Sequence, residues 1–136
     1  EIQEVAGKKN MVIEVLLQTN ISRERQKNGI APAAVEYLLE QISTMPNVEP
    51  RGMMCMAPPS EDPEDSRPIF IRCSELFSEM RTSKYCGDSF NVLSMGMSND
   101  FEIAIECGAN IVRVGSALFG ETNDDRATDL TLNCEP

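Results

Sequence analysis

The sequence predicts an α/β protein built on a parallel sheet, and two recurring patterns support this prediction. Short runs of apolar and β-branched residues, typical of strands buried on both faces, recur along the chain. Between these runs lie longer segments in which apolar residues repeat every three to four positions, as on the buried side of a helix. The order β-α-β-α-β-α-β favours parallel strands joined by right-handed crossovers.

Four strands are predicted from the apolar runs. The first covers residues 11–19, where MVIEVLL is rich in apolar and β-branched side chains. The others cover residues 50–56, 91–96 and 110–115. Neither an internal repeat nor a domain linker interrupts the alternation, so residues 1–120 are expected to form one domain.

Helices are predicted between these strands. A first, N-terminal helix is expected to end in a turn at Gly7. Pro32 suits the first turn of the next helix, and Asp62 and Ser66 are competing caps for the one after it. The apolar stripes of these two helices comprise Val35, Leu38, Leu39 and Ile42, and then Phe70, Cys73, Phe77 and Met80.

The last predicted helix lies within residues 91–120, the stretch around which the chain is organised. Phe101, Ala104 and Ile105 form its buried stripe. Gly108 is expected to end it in a left-handed conformation that glycine adopts at little cost. The strands on either side of this helix are both predicted to be buried.

The composition argues against several classes of protein. The net charge is −10, from 22 acidic and 12 basic residues, whereas a nucleic-acid surface needs clustered positive charge. No apolar run reaches the ~18 residues that suggest a membrane span. Residues 1–10 do not resemble a signal peptide, so a cytosolic location is expected. Arg23, Arg25 and Lys27 are interpreted as a solvated loop or as a contact with a phosphate or an acidic partner, and residues 121–136 as a disordered polar tail.

The cysteines predict neither a metal site nor a disulfide framework. There are 5 of them, an odd number, with no CxxC spacing and no histidine in the chain. Cys55, Cys73 and Cys107 fall in apolar patterns and are expected to be reduced packing residues. The absence of histidine also excludes an imidazole-based catalytic triad.

Two glycine-containing turns are predicted to meet at one end of the sheet. Parallel strands joined by a helix have their C-terminal turns at the same end, which brings Gly96-Met97-Ser98 opposite Gly115-Ser116. Each turn offers backbone N–H groups and a serine hydroxyl, and a helix beginning after Ser98 would add its positive end. Such an arrangement can bind a phosphate group. The alternative is that the glycines only form turns and the serines only cap helices.

The segment LSMGMSNDFEIAIECGANIVRVGSALFGE closely resembles the C-terminal hallmark of the pyridoxal-phosphate homeostasis proteins of the YggS/PROSC type. VLLQTNISRERQKNGI and RGMMCMAPPSEDPEDSRPIF extend the resemblance, which covers residues 11–121. These proteins look like the barrel domain of alanine racemase without its second domain. The resemblance implies a TIM-barrel type (β/α) fold in which this chain supplies the last four of eight strands. A whole barrel needs ~200 to 250 residues.

The resemblance also implies a pyridoxal 5′-phosphate site. Ser98, Gly115 and Ser116 match the family's phosphate contacts, and Met97 belongs to the same turn. Arg113 matches the arginine directed at the pyridine nitrogen in alanine racemase-like barrels, where it keeps that nitrogen unprotonated. This favours a carrier or a racemase over a transaminase. Without the resemblance, Arg113 is interpreted as a paired charge at a strand end.

The family's Schiff-base lysine is expected on the first barrel strand, which this sequence does not contain. The lysines present lie in polar segments: Lys8, Lys9, Lys27 and Lys84. The chain is therefore expected to be a fragment or a truncated product. Its expected role is that of a non-enzymatic carrier or regulator in vitamin B6 homeostasis, with open barrel edges that favour self-association. The alternatives are a fragment of an alanine racemase-type enzyme and an α/β module that binds another phosphate ligand.

Overall fold

The computed structural model describes residues 1–22 and 28–120. Its centre is a four-stranded parallel sheet in the order β1-β2-β3-β4, so every strand lies beside its neighbour in the sequence. The strands are β1 (Ile13–Gln18), β2 (Val48–Met54), β3 (Val92–Met97) and β4 (Ile111–Arg113). The predicted parallel α/β sheet is confirmed.

Helices connect the strands, and two of them are preceded by a short 3₁₀ turn. These turns cover Pro32–Ala34 and Pro63–Ser66. The α-helices are α1 (Ile2–Lys8), α2 (Val35–Ser43), α3 (Arg67–Met80), α4 (Phe101–Glu106) and α5 (Ser116–Phe119).

The hydrophobic core lies between one face of the sheet and helices α2 and α3. Leu17, Met53 and Leu93 are paired in register across β1, β2 and β3, and all three are buried. The predicted stripes of α2 and α3 complete this core, apart from Leu38, which is only half-buried. Helix α2 is therefore held by its apolar face, as the spacing of its apolar residues predicted.

The opposite face of the sheet is only partly covered. The next row in register joins Gln18, Met54, Ser94 and Ile111. Because side chains alternate between faces along a strand, this row lies away from the core. Ser94 is buried, yet Ile111 is 43% exposed, and Leu16 of β1 is 38% exposed. The prediction that β4 is a buried strand is therefore wrong, because β4 is an edge strand of this sheet.

Strand β2 begins two residues earlier than predicted and contains Pro50. A proline cannot donate a ladder hydrogen bond, but this part of β2 pairs with β1 alone, and β3 joins only from Gly52 onward. The register shifts by one residue at Arg51. A Cβ at Gly52 would lie 1.8 Å from the carbonyl oxygen of Val92. Glycine therefore lets β2 and β3 come together immediately after the bulge.

Helix α4 packs closely on β3 and differs from the prediction at one position. Gly96 has φ +93°, and a Cβ there would lie 2.6 Å from that of Ala104 and 2.9 Å from the Cα of Phe101. Ala104 is buried, but Ile105 is 53% exposed, so its place in the buried stripe was predicted wrongly. The six-residue helix is too short to bury a wide stripe, and contact at Gly96 fixes which side faces the strand.

The end of α4 was predicted correctly. Gly108 has φ +100°. Its N–H donates to the carbonyl of Ile105 at 2.9 Å, and the N–H of Ala109 donates to that of Ala104 at 2.9 Å. This pair of bonds is a Schellman motif, which satisfies carbonyls left without a partner at a helix end.

Two other helix ends add detail to the predictions. Helix α1 continues through Gly7, and the turn falls instead at Asn10, which has φ 51°. Of the two competing caps, Asp62 makes a side-chain capping hydrogen bond and Ser66 makes none. Asp62 accepts a hydrogen bond from the N–H of Glu64 and caps the 3₁₀ turn, while Ser66 precedes the first residue of α3.

Several predictions concern residues outside the described part of the chain. These are the role of Arg23, Arg25 and Lys27 and the disordered tail 121–136. Across residues 1–22 and 28–120, the structure contains no helix with the length and apolar character needed to cross a membrane.

Candidate functional site

The turns that follow β3 and β4 meet at the carboxyl end of the sheet, as the sequence predicted. Ser98 links them. Its Oγ accepts hydrogen bonds from the backbone N–H of Gly115 at 3.1 Å and of Ala117 at 3.2 Å. The hydroxyl of the first turn therefore fixes the position of the second turn, and the predicted residues Met97, Ser98, Gly115 and Ser116 lie together.

The free hydrogen-bond donors of these turns differ from those expected. The N–H of Gly115 is already bound to Ser98, and that of Met97 donates to Asp100 Oδ1 at 2.7 Å. Among the described residues, the amides of Ser98 and Ser116 have no acceptor. A serine hydroxyl that accepts two hydrogen bonds retains its own proton to donate. The donors left for a ligand are these two amides and the two serine hydroxyls.

The expected helix N-terminus does not directly follow Ser98. Helix α4 begins at Phe101, with Asp100 at the N-cap position. The carboxylate of Asp100 offsets the positive end of the helix dipole there. The prediction that a helix dipole contributes at the first turn is therefore wrong.

Arg113 lies on β4, where its backbone is opposite Met97 of β3. Its Nη2 donates to the carbonyl oxygen of Cys55 at 3.0 Å, so the side chain extends from β4 to the end of β2. Its Nε is buried without a partner. The interpretation of Arg113 as a paired charge is wrong, since no carboxylate of the described residues forms an ion pair with it. Most of the guanidinium donors remain available.

Cys55 contributes its carbonyl oxygen to this site, while its thiol belongs to the core. Cys55 and Cys73 are both buried and reduced. Two effects raise the pKa of the Cys55 thiol well above its ordinary value: the larger is a hydrogen bond with the Cys73 thiol, and the next is burial. The thiol therefore stays protonated and is not a nucleophile. The packing role predicted for both cysteines is confirmed.

A groove of about 360 Å³ adjoins the first turn. Met97, which is 39% exposed, and Asp100 form one side of it, and loop 57–61 with Ser66 forms the other. Asn99 joins the two sides, since its Nδ2 donates to the carbonyl oxygen of Ser60 at 2.9 Å. A second, apolar cavity of about 400 Å³ lies along α1, at the amino end of β1 and remote from both turns.

The described lysines lie at the opposite end of the sheet from the two turns. Lys8 and Lys9 precede β1, and Lys84 precedes β3, so all three lie towards the amino ends of strands. Lys8 is paired with Glu4 at 2.7 Å, and the Nζ of Lys84 lies 4.9 Å from the ring centre of Tyr85. Lys27 is outside the described residues.

Sequence reasoning missed three contributors to this site: Asp100, Ser66 and the carbonyl of Cys55. A signal was available for Asp100, because an aspartate directly before an apolar helical stripe is a candidate cap. Its contacts with Met97 and Ser66 could not be foreseen, since they depend on how the loops pack. The Cys55 carbonyl carries no side-chain signal at all.

Comparison with known proteins assigns the chain to a family. The family model described as the alanine racemase N-terminal domain matches residues 1–123. The chain belongs to this family. Two similar relatives are the pyridoxal phosphate homeostasis proteins of Aquifex aeolicus and Helicobacter pylori strain 26695. They are 45% identical over 125 residues and 38% identical over 110 residues, respectively. The resemblance stated from the sequence motifs is confirmed.

The alignments cover most of this chain but only part of each relative. They include 89% of the chain and 52% of the Aquifex protein, and 80% of the chain and 46% of the Helicobacter protein. The chain thus spans about half the length of the curated relatives it matches.

Solved structures support the fold. The crystal structure of a protein from Bifidobacterium adolescentis has a TM-score of 0.79 at 34% identity, covering 87% of this chain and 47% of that one. PipY of Synechococcus elongatus, solved with pyridoxal phosphate bound, has a TM-score of 0.73 at 28% identity, covering 87% and 54%. Alanine racemase of Corynebacterium glutamicum shares the fold, with a TM-score of 0.63 at 19% identity over 81% and 30% of the two chains. The predicted fold class, part of an alanine racemase-like barrel, is confirmed.

Proposed function

We propose that this chain binds pyridoxal 5′-phosphate and serves vitamin B6 homeostasis as a non-enzymatic carrier or regulator. The observation that carries the proposal is the link from Ser98 to Gly115 and Ala117. It holds two turns together while leaving the Ser98 and Ser116 hydroxyls and amides free. These are neutral hydrogen-bond donors, of the kind that bind a phosphate group in a backbone concavity.

The residues present fit the phosphate group. Gly115 has no atom within 4 Å of where a Cβ would be, so the second turn is open on that side. Ser116 is exposed and its backbone amide lies between two amides already bound to Ser98. Hydrogen bonds to a charged group contribute ~1.5 to 3 kcal/mol each. A few such donors are enough for weak but selective binding of a phosphate ester.

Arg113 is proposed to contact the pyridine nitrogen. One of its donors binds the Cys55 carbonyl, which orients the planar guanidinium, and its buried Nε has no partner. An arginine beside the ring nitrogen keeps that nitrogen unprotonated, because guanidinium does not give up its proton. When bound, pyridoxal phosphate supplies an aldehyde and an electron-withdrawing ring, and an unprotonated nitrogen weakens the latter.

The non-enzymatic role is supported by the placement of the lysines. Those described lie towards the amino ends of the strands, away from the proposed phosphate site. Buried Cys55 supplies no nucleophile. Several relatives are named pyridoxal phosphate homeostasis proteins. We therefore expect binding through the phosphate, with an affinity on the order of micromolar to millimolar.

Calorimetric titration tests this proposal. Pyridoxal lacks the phosphate group of pyridoxal phosphate, so the proposal predicts at least about tenfold tighter binding of the latter. Inorganic phosphate should compete with pyridoxal phosphate. Equal binding of the two aldehydes would contradict the proposed phosphate site. Inorganic phosphate binding as tightly as pyridoxal phosphate would instead favour the α/β module for another phosphate ligand.

A further inference from the structure

Asp100 is an unexpected residue beside a proposed anion site. It lies two positions after Ser98, and it is only 8% exposed. A carboxylate so near a bound phosphate repels it, and the repulsion is screened less when the carboxylate is buried. Asp100 is therefore not a phosphate ligand, and its presence at this position requires another explanation.

The contacts of Asp100 close the first turn. Its Oδ1 accepts the N–H of Met97 at 2.7 Å, and its own N–H donates to the carbonyl oxygen of Met97 at 3.1 Å. Met97 and Asp100 are thus joined in both directions. Ser98 and Asn99 lie between these bonds, so their backbone positions are fixed by them.

A second set of contacts ties this turn to helix α3. The Oγ of Ser66 donates to Asp100 Oδ2 at 2.9 Å, and both residues are buried. Ser66 directly precedes α3, a helix of 14 residues that packs in the core. Both carboxylate oxygens are thus occupied within the protein, one by the turn and the other by the residue that precedes α3.

We propose that Asp100 is a positioning residue that holds Ser98 where its hydroxyl can link the two turns and meet the ligand phosphate. This inference rests on the proposed phosphate-binding function. Asp100 is inferred to have two opposite effects. Its hydrogen bonds stabilise the site, and its negative charge opposes ligand binding.

The substitution Asp100→Asn separates these two effects. The asparagine oxygen can still accept from Met97, and its amide can donate to the Ser66 oxygen, because a hydroxyl is also an acceptor. We expect pyridoxal phosphate to bind the Asp100→Asn variant at least as tightly as the original chain. Asp100→Ala removes both contacts and should weaken pyridoxal phosphate binding about tenfold while pyridoxal binding stays within about twofold.

Asn110→Ala is a matched control. Asn110 also supports the backbone through its side-chain amide, since its Oδ1 accepts from Leu93 N at 2.8 Å and its Nδ2 donates to Asn91 O at 2.7 Å. These bonds lie at the amino ends of β3 and β4, away from the turns. The variant should lose stability but keep the affinity ratio of pyridoxal phosphate to pyridoxal.

Hydrogen exchange of the backbone amides tests the positioning role without a ligand. The Met97 amide should exchange about tenfold faster in Asp100→Ala and at an unchanged rate in Asp100→Asn. If Asp100→Ala does not fold, Ser66→Ala takes its place, because it removes only the link to α3; it should weaken pyridoxal phosphate binding about threefold. Equal weakening by Asp100→Asn and Asp100→Ala would overturn the inference, as would no weakening by Ser66→Ala.

The two proposals fail in different ways. If the original chain shows no preference for pyridoxal phosphate over pyridoxal, the proposed function is wrong, whatever Asp100 does. If the preference exists and Met97 amide exchange is unchanged in Asp100→Ala, the positioning role is wrong and the proposed function stands.

Discussion

Arg113 and Arg51 are two arginines with a buried, unpartnered Nε, and they differ in their surroundings. Arg51 is paired with Glu14 at 3.1 Å. Arg113 has only the Cys55 carbonyl as a partner among the residues described. A half-buried guanidinium without a counter-charge is costly unless another group compensates it. A ligand at the carboxyl end of the sheet would supply that compensation to Arg113 but not to Arg51.

Arg113→Ala should weaken binding of pyridoxal phosphate about tenfold and binding of inorganic phosphate by less than about twofold, because the proposed partner is the ring nitrogen. Calorimetry with both ligands measures this difference. Arg51→Ala, which removes the other arginine, is the control and should leave both affinities unchanged. An equal loss for the two ligands would show that Arg113 acts on the phosphate or on the fold instead.

The lysines provide a second prediction at the scale of residues. Because Lys8, Lys9 and Lys84 lie towards the amino ends of strands, none should be trapped specifically with the bound aldehyde. Borohydride reduction of the complex, followed by peptide mapping, should give low labelling spread over several lysines. Stoichiometric label on one lysine would contradict the absence of a covalent attachment site.

At the scale of elements, the sequence predicted what depends on local pattern. The stripes of α2 and α3, the buried run of β3 and the Gly108 helix end all follow from spacing and backbone preference, and all were found. The errors arose where packing decides. Strand β2 begins at Val48, two residues before its predicted start, in a segment that pairs with β1 alone, and Ile105 is exposed because Gly96 determines how α4 packs on β3.

Substitution by alanine should destabilise the chain strongly at Gly96 and only slightly at Gly115. At Gly96 the φ of +93° and the 2.6 Å approach to the Ala104 Cβ predict a loss of roughly 3 kcal/mol in the free energy of unfolding. Gly115 has φ −119°, and a Cβ added there would have no atom within 4 Å, so its substitution should cost less than about 0.5 kcal/mol. Urea denaturation measures both. Similar losses would show that α4 does not pack against β3 as described.

At the scale of the whole molecule, the sheet is open at both edges. Within the described residues, neither β1 nor β4 has a strand on its outer side. Val12 and Leu16, at 55% and 38% exposed, place apolar surface at the β1 edge. Exposed edges template pairing with another chain. The isolated chain is therefore expected to be marginally stable or to self-associate.

Sedimentation equilibrium should show an average mass that rises with protein concentration. Val12→Lys combined with Leu16→Lys should reduce this association, because charged edge residues oppose strand pairing. Ile71→Lys is the control, since Ile71 is 45% exposed on α3 rather than on the sheet. A cooperatively unfolding monomer at all concentrations would contradict the expectation.

How much of the candidate site the sequence predicted also depends on scale. The meeting of the two turns follows from parallel topology, and the roles of Ser98, Gly115, Ser116 and Arg113 came from the family resemblance. The free donors did not follow from sequence, because Ser98 and Asp100 each bind amides that were expected to face a ligand. Such internal hydrogen bonds depend on loop geometry, which spacing does not specify.

The most direct test of the central claim observes the phosphate itself. Phosphorus-31 NMR of pyridoxal phosphate should show a saturable change in chemical shift or line width on addition of the chain. Excess inorganic phosphate should reverse the change, and Ser98→Ala combined with Ser116→Ala should abolish it. Ser43→Ala combined with Ser78→Ala, two exposed serines that bind only helix carbonyls, should leave it intact. An unchanged signal in the Ser98 and Ser116 double variant would contradict the proposed phosphate site.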